Sequence, residues 1–260
     1  MSLEVFSDIN KQLKDITKQL AYHVVGDPLV LSNLEKYLDI SLENSLEVNL
    51  TTAAYNMSKK SFSVLMHKAI RQINFSLNSY NANSHKISLQ EYLEPILDFC
   101  EYAIENKQHF FINLRIWNLD ESQSAKQFNK EVFETVNKRF NSNIDLDEVY
   151  NSQPKNIKIA RMIFFNFDEY FSWPSLTNET ISKTGFCYGL DSHFGILSGG
   201  KVVPCCLDKD GVIDLGDVKE KKLKDILSSK KVLDIQKGFK NNILVEELCQ
   251  KCQYRTRFDK

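Results

Sequence analysis

The chain has 260 residues, 42% of them hydrophobic and 26% charged, with a net charge of −1. That length allows one sizeable core plus a small appendage, and the near-neutral balance excludes a general attraction to nucleic acid or to an anionic membrane. No apolar run reaches transmembrane length and the N-terminus lacks a charged-then-apolar leader pattern, so a cytoplasmic protein is expected.

In chain order, Val5, Ile9, Leu13, Ile16 and Leu20 recur at helical spacing and predict a first helix over 5–20. Ala21 to Val25 then read as a strand buried on both faces, broken by Gly26-Asp27-Pro28. The alternation continues with a helix over 31–44, a strand over 46–54, a helix opening at Ser58 and a strand over 71–79. Ser88 with Glu91 three residues on forms a capping box for the next helix, in which Pro95 predicts a kink or a late start. A strand over 109–119, a helix marked by Phe128, Val132, Phe133, Val136 and Phe140, and one long strand over 156–167 follow. Strand and helix alternating with short connections argue for parallel strands with helical crossovers, a class that binds ligands beyond the C-terminal strand ends. The chain opens on a helix, so the expected fold is α/β, a partial barrel missing its first strand. The expected domains are the barrel over 1–168, a polar linker over 169–186 and a small unit over 187–260.

That last unit holds five of the six cysteines. Alternating strands around Ser198-Gly199-Gly200 predict a hairpin, Asp210-Gly211 a second turn, and the lysine-rich stretch after 219 helix. Cys187 precedes the hairpin, Cys205 follows it, and Cys249 and Cys252 form a CxxC pair. Thiolates are soft ligands, and both zinc and iron–sulfur clusters commonly take four. Buried small hydrophobes are the plainer reading, but five clustered cysteines are hard to explain by packing. Zinc stays open; a zinc ribbon would show two CxxC pairs, and here there is one. Cys206 is surplus and an alternative to Cys205. Cys100, on an apolar helix face, reads as core, and His23 and His193 as structural histidines.

Gly26, Asp27 and Pro28 are either a turn or, at a strand end, an exposed backbone and carboxylate for the ammonium of an amino-acid-like ligand. Ser76 and Asn78 alternate with Phe75 and Leu77 and would face one side, toward solvent or toward a polar ligand. Arg115 on an apolar strand needs a partner if buried, either a ligand carboxylate or an internal acid.

The stretch HFGILSGGKVVPCCLDKDGVIDLGDV followed by LCQKCQYR resembles the SPASM or shorter twitch extension of radical S-adenosylmethionine enzymes. HVVGDPL is similar to that family's GGEP strand end, with Val25 and Asp27 in place of glycine and glutamate. NLTTAAYN resembles its TTNG segment, and INFSLNS and LRIWN its ribose- and carboxylate-side strands. The resemblance implies one auxiliary 4Fe–4S cluster on Cys187, Cys205, Cys249 and Cys252. It also implies S-adenosylmethionine bound near Gly26, Asp27, Pro28, Ser76, Asn78 and Arg115. The family's CxxxCxxC for the reducing cluster is absent from these 260 residues; no cysteine precedes Cys100. The implied whole is an oxidoreductase that abstracts a hydrogen atom from a peptide or small molecule, with an external electron donor and no nucleic-acid or membrane partner. Its reducing 4Fe–4S cluster would need an upstream CxxxCxxC, and this chain alone is expected to be inactive. A non-catalytic binding or scaffold module with a structural zinc or cluster is the rival reading.

Overall fold

The computed structural model describes residues 1–82, 86–119 and 123–258, and two compact units divide them. One unit runs from Lys18 to Tyr170; the other joins Met1–Thr17 to Phe171–Lys260. Helix α1 (Leu3–Leu13) therefore packs with the C-terminal unit, although the sequence grouped it with the strands. It stops well short of Leu20, because Gln19 and Leu20 already belong to strand β1 (Gln19–Tyr22). No helix is long and apolar enough to cross a membrane among the described residues.

The 18–170 unit alternates as its hydrophobic pattern requires. After β1 come α2 (Leu34–Glu43), β2 (Glu47–Thr52), α3 (Phe62–Leu65), β3 (Ile70–Ser76), α4 (Asn78–Ala82) and α5 (Leu89–Glu105). Then β4 (Phe111–Ile116), α6 (Gln123–Phe140), α7 (Leu146–Ser152), β5 (Asn156–Ala160) and β6 (Ile163–Phe167) complete it. The sheet order is β1-β2-β3-β4-β6-β5, parallel throughout except for the antiparallel β5–β6 pair.

Three expectations change. The single strand over 156–167 is a hairpin, turned at Arg161-Met162, so β6 joins β4 and β5 becomes an edge. β1 is the other edge, half-exposed along its length, and Val25 beyond it is 67% exposed; a strand with one neighbour does not need apolar residues on both faces. Helix α5 starts on its capping box, with Ser88 Oγ accepting from Glu91 N and Glu91 Oε2 from Ser88 N, and runs through Pro95 without a late start.

The two faces of the sheet differ in kind. Val48, Leu50, Ile73, Phe75, Ile112, Leu114, Ile163 and Phe165 are fully buried against α2, α5 and α6, where Phe133 stacks on Phe165 at 4.5 Å between centroids. The alternate residues are mostly amides and hydroxyls, with Arg115 and the aromatic pair Phe111–Phe164 among them. Registers place Thr51 beside Asn74, Asn74 beside Asn113, and Arg115 beside Asn166. They bond across strands: Asn74 Nδ2 to Thr51 Oγ1 at 3.2 Å, Asn113 Nδ2 to Asn74 Oδ1 at 3.0 Å, Asn49 Nδ2 to Gln19 Oε1 at 3.0 Å. A period of two therefore yields one helix-covered apolar face and one polar face.

The C-terminal unit is built on a three-stranded antiparallel sheet, β7 (Gly195–Ile196), β8 (Lys201–Val203) and β9 (Gly216–Asp217). The expected hairpin is present, with Gly195 opposite Val203, and Gly200 takes a φ of +102° in its turn. The lysine-rich stretch forms α8 (Leu223–Leu227) and α9 (Lys230–Lys240), the latter capped at Ser229, and α10 (Glu247–Gln250) carries the first cysteine of the CxxC. Leu223, Ile226, Val232, Ile235 and Phe239 bury the inner faces of α8 and α9.

Candidate metal centre

Three separate chain segments deliver the four cysteines to one place. Cys187 precedes the β7 hairpin, Cys205 leaves β8 two residues after its end, Cys249 sits in α10, and Cys252 follows it. Their side chains line a cavity of about 60 Å³, together with Cys206, His193, Asp208, Leu248, Tyr254 and Arg255. All four are free thiols. Gly189 and Gly195 let the backbone close in: a Cβ on Gly189 would lie 3.3 Å from the Pro204 carbonyl oxygen, and one on Gly195 2.8 Å from Val203 Cγ2.

The thiols are electrically coupled. Burial pushes the Cys205 thiol up to about 12; Cys206 and Cys187 push the same way, and the Leu207 and Asp208 N–H groups pull it down. Burial likewise raises Cys249, helped by Cys205, Cys187 and Cys252. Cys187 and Cys252 are raised by burial, but backbone N–H groups and the charge of Arg255 oppose it at both. Gly189 N donates to Cys187 Sγ at 3.4 Å. The four thiols are half-buried, and neighbouring cysteines oppose the ionisation of Cys205, Cys249 and Cys252; a bound cation would favour their thiolate forms, and the N–H groups aimed at their sulfurs act in the same direction. The donor set thus fits a thiolate-bound metal group.

Among the described residues, no three His, Cys, Asp or Glu side chains gather tightly enough to hold one metal ion. Four thiolates on one zinc would stand about 3.8 Å apart, from Zn–S bonds of about 2.3 Å in a tetrahedron. The four cysteines line one cavity, and thiolate sets of this kind serve zinc and iron–sulfur clusters alike.

Asp208, which sequence reading missed, is 1% exposed and anchors the loop behind Cys205. Its carboxylate accepts from Val212 N and Ile213 N, both at 2.8 Å, and Gly211 at φ +65° closes the turn. An Asp three residues before a glycine turn, as in DKDG, is the signal that could have found it. His193 also lines the cavity, with Nδ1 3.0 Å from Ser192 Oγ, and burial lowers its pKa. Cys100 is fully buried in the other unit, as its helix face implied.

The residues singled out at the strand ends all lie in the 18–170 unit, but they are arranged differently from the expectation. Gly26 is exposed at φ +90°, with open space where a Cβ would be. The Asp27 carboxylate is engaged inside the protein by Leu29 N, Thr52 Oγ1 and Ala53 N, and Pro28 begins the helical turn it caps. What the turn offers outward is its backbone, not the Asp27 carboxylate. Ser76 ends β3, but Asn78 opens α4, so the two do not share a strand face. Arg115 stacks over Trp117 at 4.8 Å and lies close enough to His23 to help burial lower the His23 pKa.

Residues 187–253 match the SPASM family, described as an iron–sulfur cluster-binding domain. The whole chain resembles radical S-adenosylmethionine enzymes in fold. Against BtrN in complex with AdoMet and 2-DOIA the TM-score is 0.60 at 14% identity, covering 97% of this chain and 80% of that one. Against Streptococcus suis SuiB it is 0.58 at 15% identity, covering 100% and 68%. Against anSMEcpe with bound AdoMet it is 0.54 at 15% identity, covering 100% and 82%. At such identities the likeness is one of fold. No curated protein matches by sequence.

Proposed function

We propose that this chain, a SPASM-type unit joined to a radical S-adenosylmethionine fold, binds one auxiliary 4Fe–4S cluster through Cys187, Cys205, Cys249 and Cys252. The observation that carries the reading is that these four cysteines line one cavity, within the segment that matches an iron–sulfur domain. Cys206 is the spare thiol in the wall. With a single CxxC and four ligands, the unit corresponds to the one-cluster twitch form.

S-adenosylmethionine belongs at the C-terminal ends of β1 to β4. Support comes from the exposed backbone at Gly26, the polar sheet face ending in Ser76 and Arg115, and the AdoMet bound by the structural neighbours. When bound, the auxiliary cluster supplies a one-electron site. The chain's own residues supply the ligands and aim N–H groups at the cysteine sulfurs. The substrate class is a peptide or a small molecule, as one neighbour is bound to its precursor peptide and another to 2-DOIA. Hydrogen-atom abstraction by the intact enzyme needs a CxxxCxxC cluster, and these 260 residues contain none.

Anaerobic reconstitution with iron and sulfide tests the reading. About four irons and four sulfides per chain are expected for one cubane cluster. A colourless chain that holds one zinc and no sulfide under the same conditions overturns it.

A further inference from the structure

We propose that Arg255 is the built-in counter-charge of the auxiliary cluster, and that its buried guanidinium raises the cluster's reduction potential. The proposal rests on the reading that the four cysteines hold an iron–sulfur cluster. Arg255 acts through that cluster and is a positioning residue.

Four observations converge on this side chain. Arg255 is 2% exposed, an extreme burial for a group that cannot give up its charge. It lies in the helical turn 254–258, three residues beyond Cys252, and lines the cysteine cavity. Its backbone N–H points at Cys252, and its charge favours the thiolates of both Cys252 and Cys187. The chain also makes room for it: Gly185 takes a φ of +147°, and a Cβ there would lie 2.7 Å from Arg255 Cζ and closer still to Nη1. A left-handed glycine pressed against a guanidinium, two residues before a ligand cysteine, is a seat for that guanidinium.

The chemistry follows from charge. Each electron added to a thiolate-ligated cluster makes it more negative, and cluster potentials depend on nearby charge, on hydrogen bonds to sulfur and on solvent access. A fixed cation in a dry wall stabilises the reduced state more than the oxidised one, so it raises the potential. It also offsets the cost of gathering four thiolates, while the thiolates offset the cost of burying the guanidinium. Arg257, two residues on, differs: it stacks on Tyr254 at 4.6 Å and on Phe171 at 5.3 Å, and so makes an internal control.

The test is a mediated redox titration of the reconstituted full chain, read by electron paramagnetic resonance, with iron and sulfide measured on every sample. In Arg255→Gln, at equal iron and sulfide, the reduced-to-oxidised ratio at a fixed potential should fall at least tenfold, a shift of about 59 mV to lower potential for one electron. Gly185→Ala, which unseats the guanidinium, should shift it the same way, and Arg257→Gln should not shift it. An unchanged potential in a fully loaded Arg255→Gln overturns the proposal. Should Arg255→Gln fail to take up iron, Arg255→Lys decides: a loaded cluster near the wild-type potential supports the role of charge, and failure equal to that of Gln overturns it. A wild-type chain without iron and sulfide strikes the cluster reading instead, which the same analysis reveals before any titration.

Discussion

Thr52 Oγ1 sits 2.7 and 2.8 Å from the two carboxylate oxygens of Asp27, and this contact ties the turn after β1 to the end of β2. Thr52 is 2% exposed, and its Oγ1 also accepts from Ala54 N at 2.8 Å, so the hydroxyl relays between two turns. Asp27→Ala strands three donors and should cost about 1–3 kcal/mol in urea unfolding. In a double-mutant cycle with Thr52→Val the two losses should not add, with a coupling of about 0.5–3 kcal/mol. Additive losses would show that the contact carries no energy of its own.

The four cavity cysteines should respond alike. Cys187→Ala, Cys205→Ala, Cys249→Ala and Cys252→Ala should each abolish or sharply reduce the iron and sulfide retained after gel filtration, because a cluster loses its hold with one ligand gone. Cys206→Ser should keep the wild-type content. If Cys206→Ser empties the site while Cys205→Ala keeps it filled, the ligand is the neighbouring residue instead.

The cysteine site was legible because its signal is chemical: four thiols at given spacings survive any uncertainty in strand boundaries. The alternation of strands and helices was legible too, and the period-two residues Val48 and Leu50 in β2 and Ile112, Leu114 and Ile116 in β4 form the buried face. What stayed hidden depends on partners far away in sequence. Nothing in NIKIARMIFFNF separates one twelve-residue strand from two five-residue strands, because both faces of both halves accept similar residues. The switch from β3 to α4 between Ser76 and Asn78 is equally silent, since asparagine and serine fit a strand face and a helix start alike. Nothing in QYRTRF marks Arg255; only the fold reveals Gly185 against it.

His23 should give stability a pH dependence of known sign. Burial, and then the charge of Arg115, hold its pKa below the ordinary value of 6.5. Between 6.5 and that lower value the unfolded chain binds a proton that the folded chain refuses. Stability is therefore full above about pH 6.5 and falls as the pH drops through the window toward the folded-state pKa. His23→Gln should flatten the difference in urea midpoint between pH 7.5 and pH 5. An undiminished slope in the variant would assign the dependence to other groups.

Cys100 should behave as core and nothing else. It is fully buried among Phe99, Ile96 and Ala103, and burial drives its thiol pKa far up. Cys100→Ser places a hydroxyl in that apolar packing and should cost about 1–3 kcal/mol. Iron and sulfide should not change. A loss of iron in this variant would overturn the reading of Cys100 as core alone.

Asn74 is the node of the polar sheet face, and its neighbours are branches. It is 2% exposed; its Oδ1 accepts from Gln72 Nε2 at 2.8 Å and from Asn113 Nδ2 at 3.0 Å, while its Nδ2 donates to Thr51 Oγ1 at 3.2 Å. Asn74→Ala removes the acceptor of two amides and a donor to a hydroxyl, deep in the sheet where water replaces them poorly, and should cost about 1–3 kcal/mol in urea unfolding. Asn113→Ala removes one half-buried amide and leaves the Asn74 bonds to Gln72 and Thr51 in place, so it should stay within about 0.5 kcal/mol. Equal losses from the two substitutions would mean that the amides act as independent, solvated groups. A larger loss at Asn74 makes the polar face a connected scaffold, which is what a ligand lying on it would need in order to find its hydrogen-bonding groups already in place.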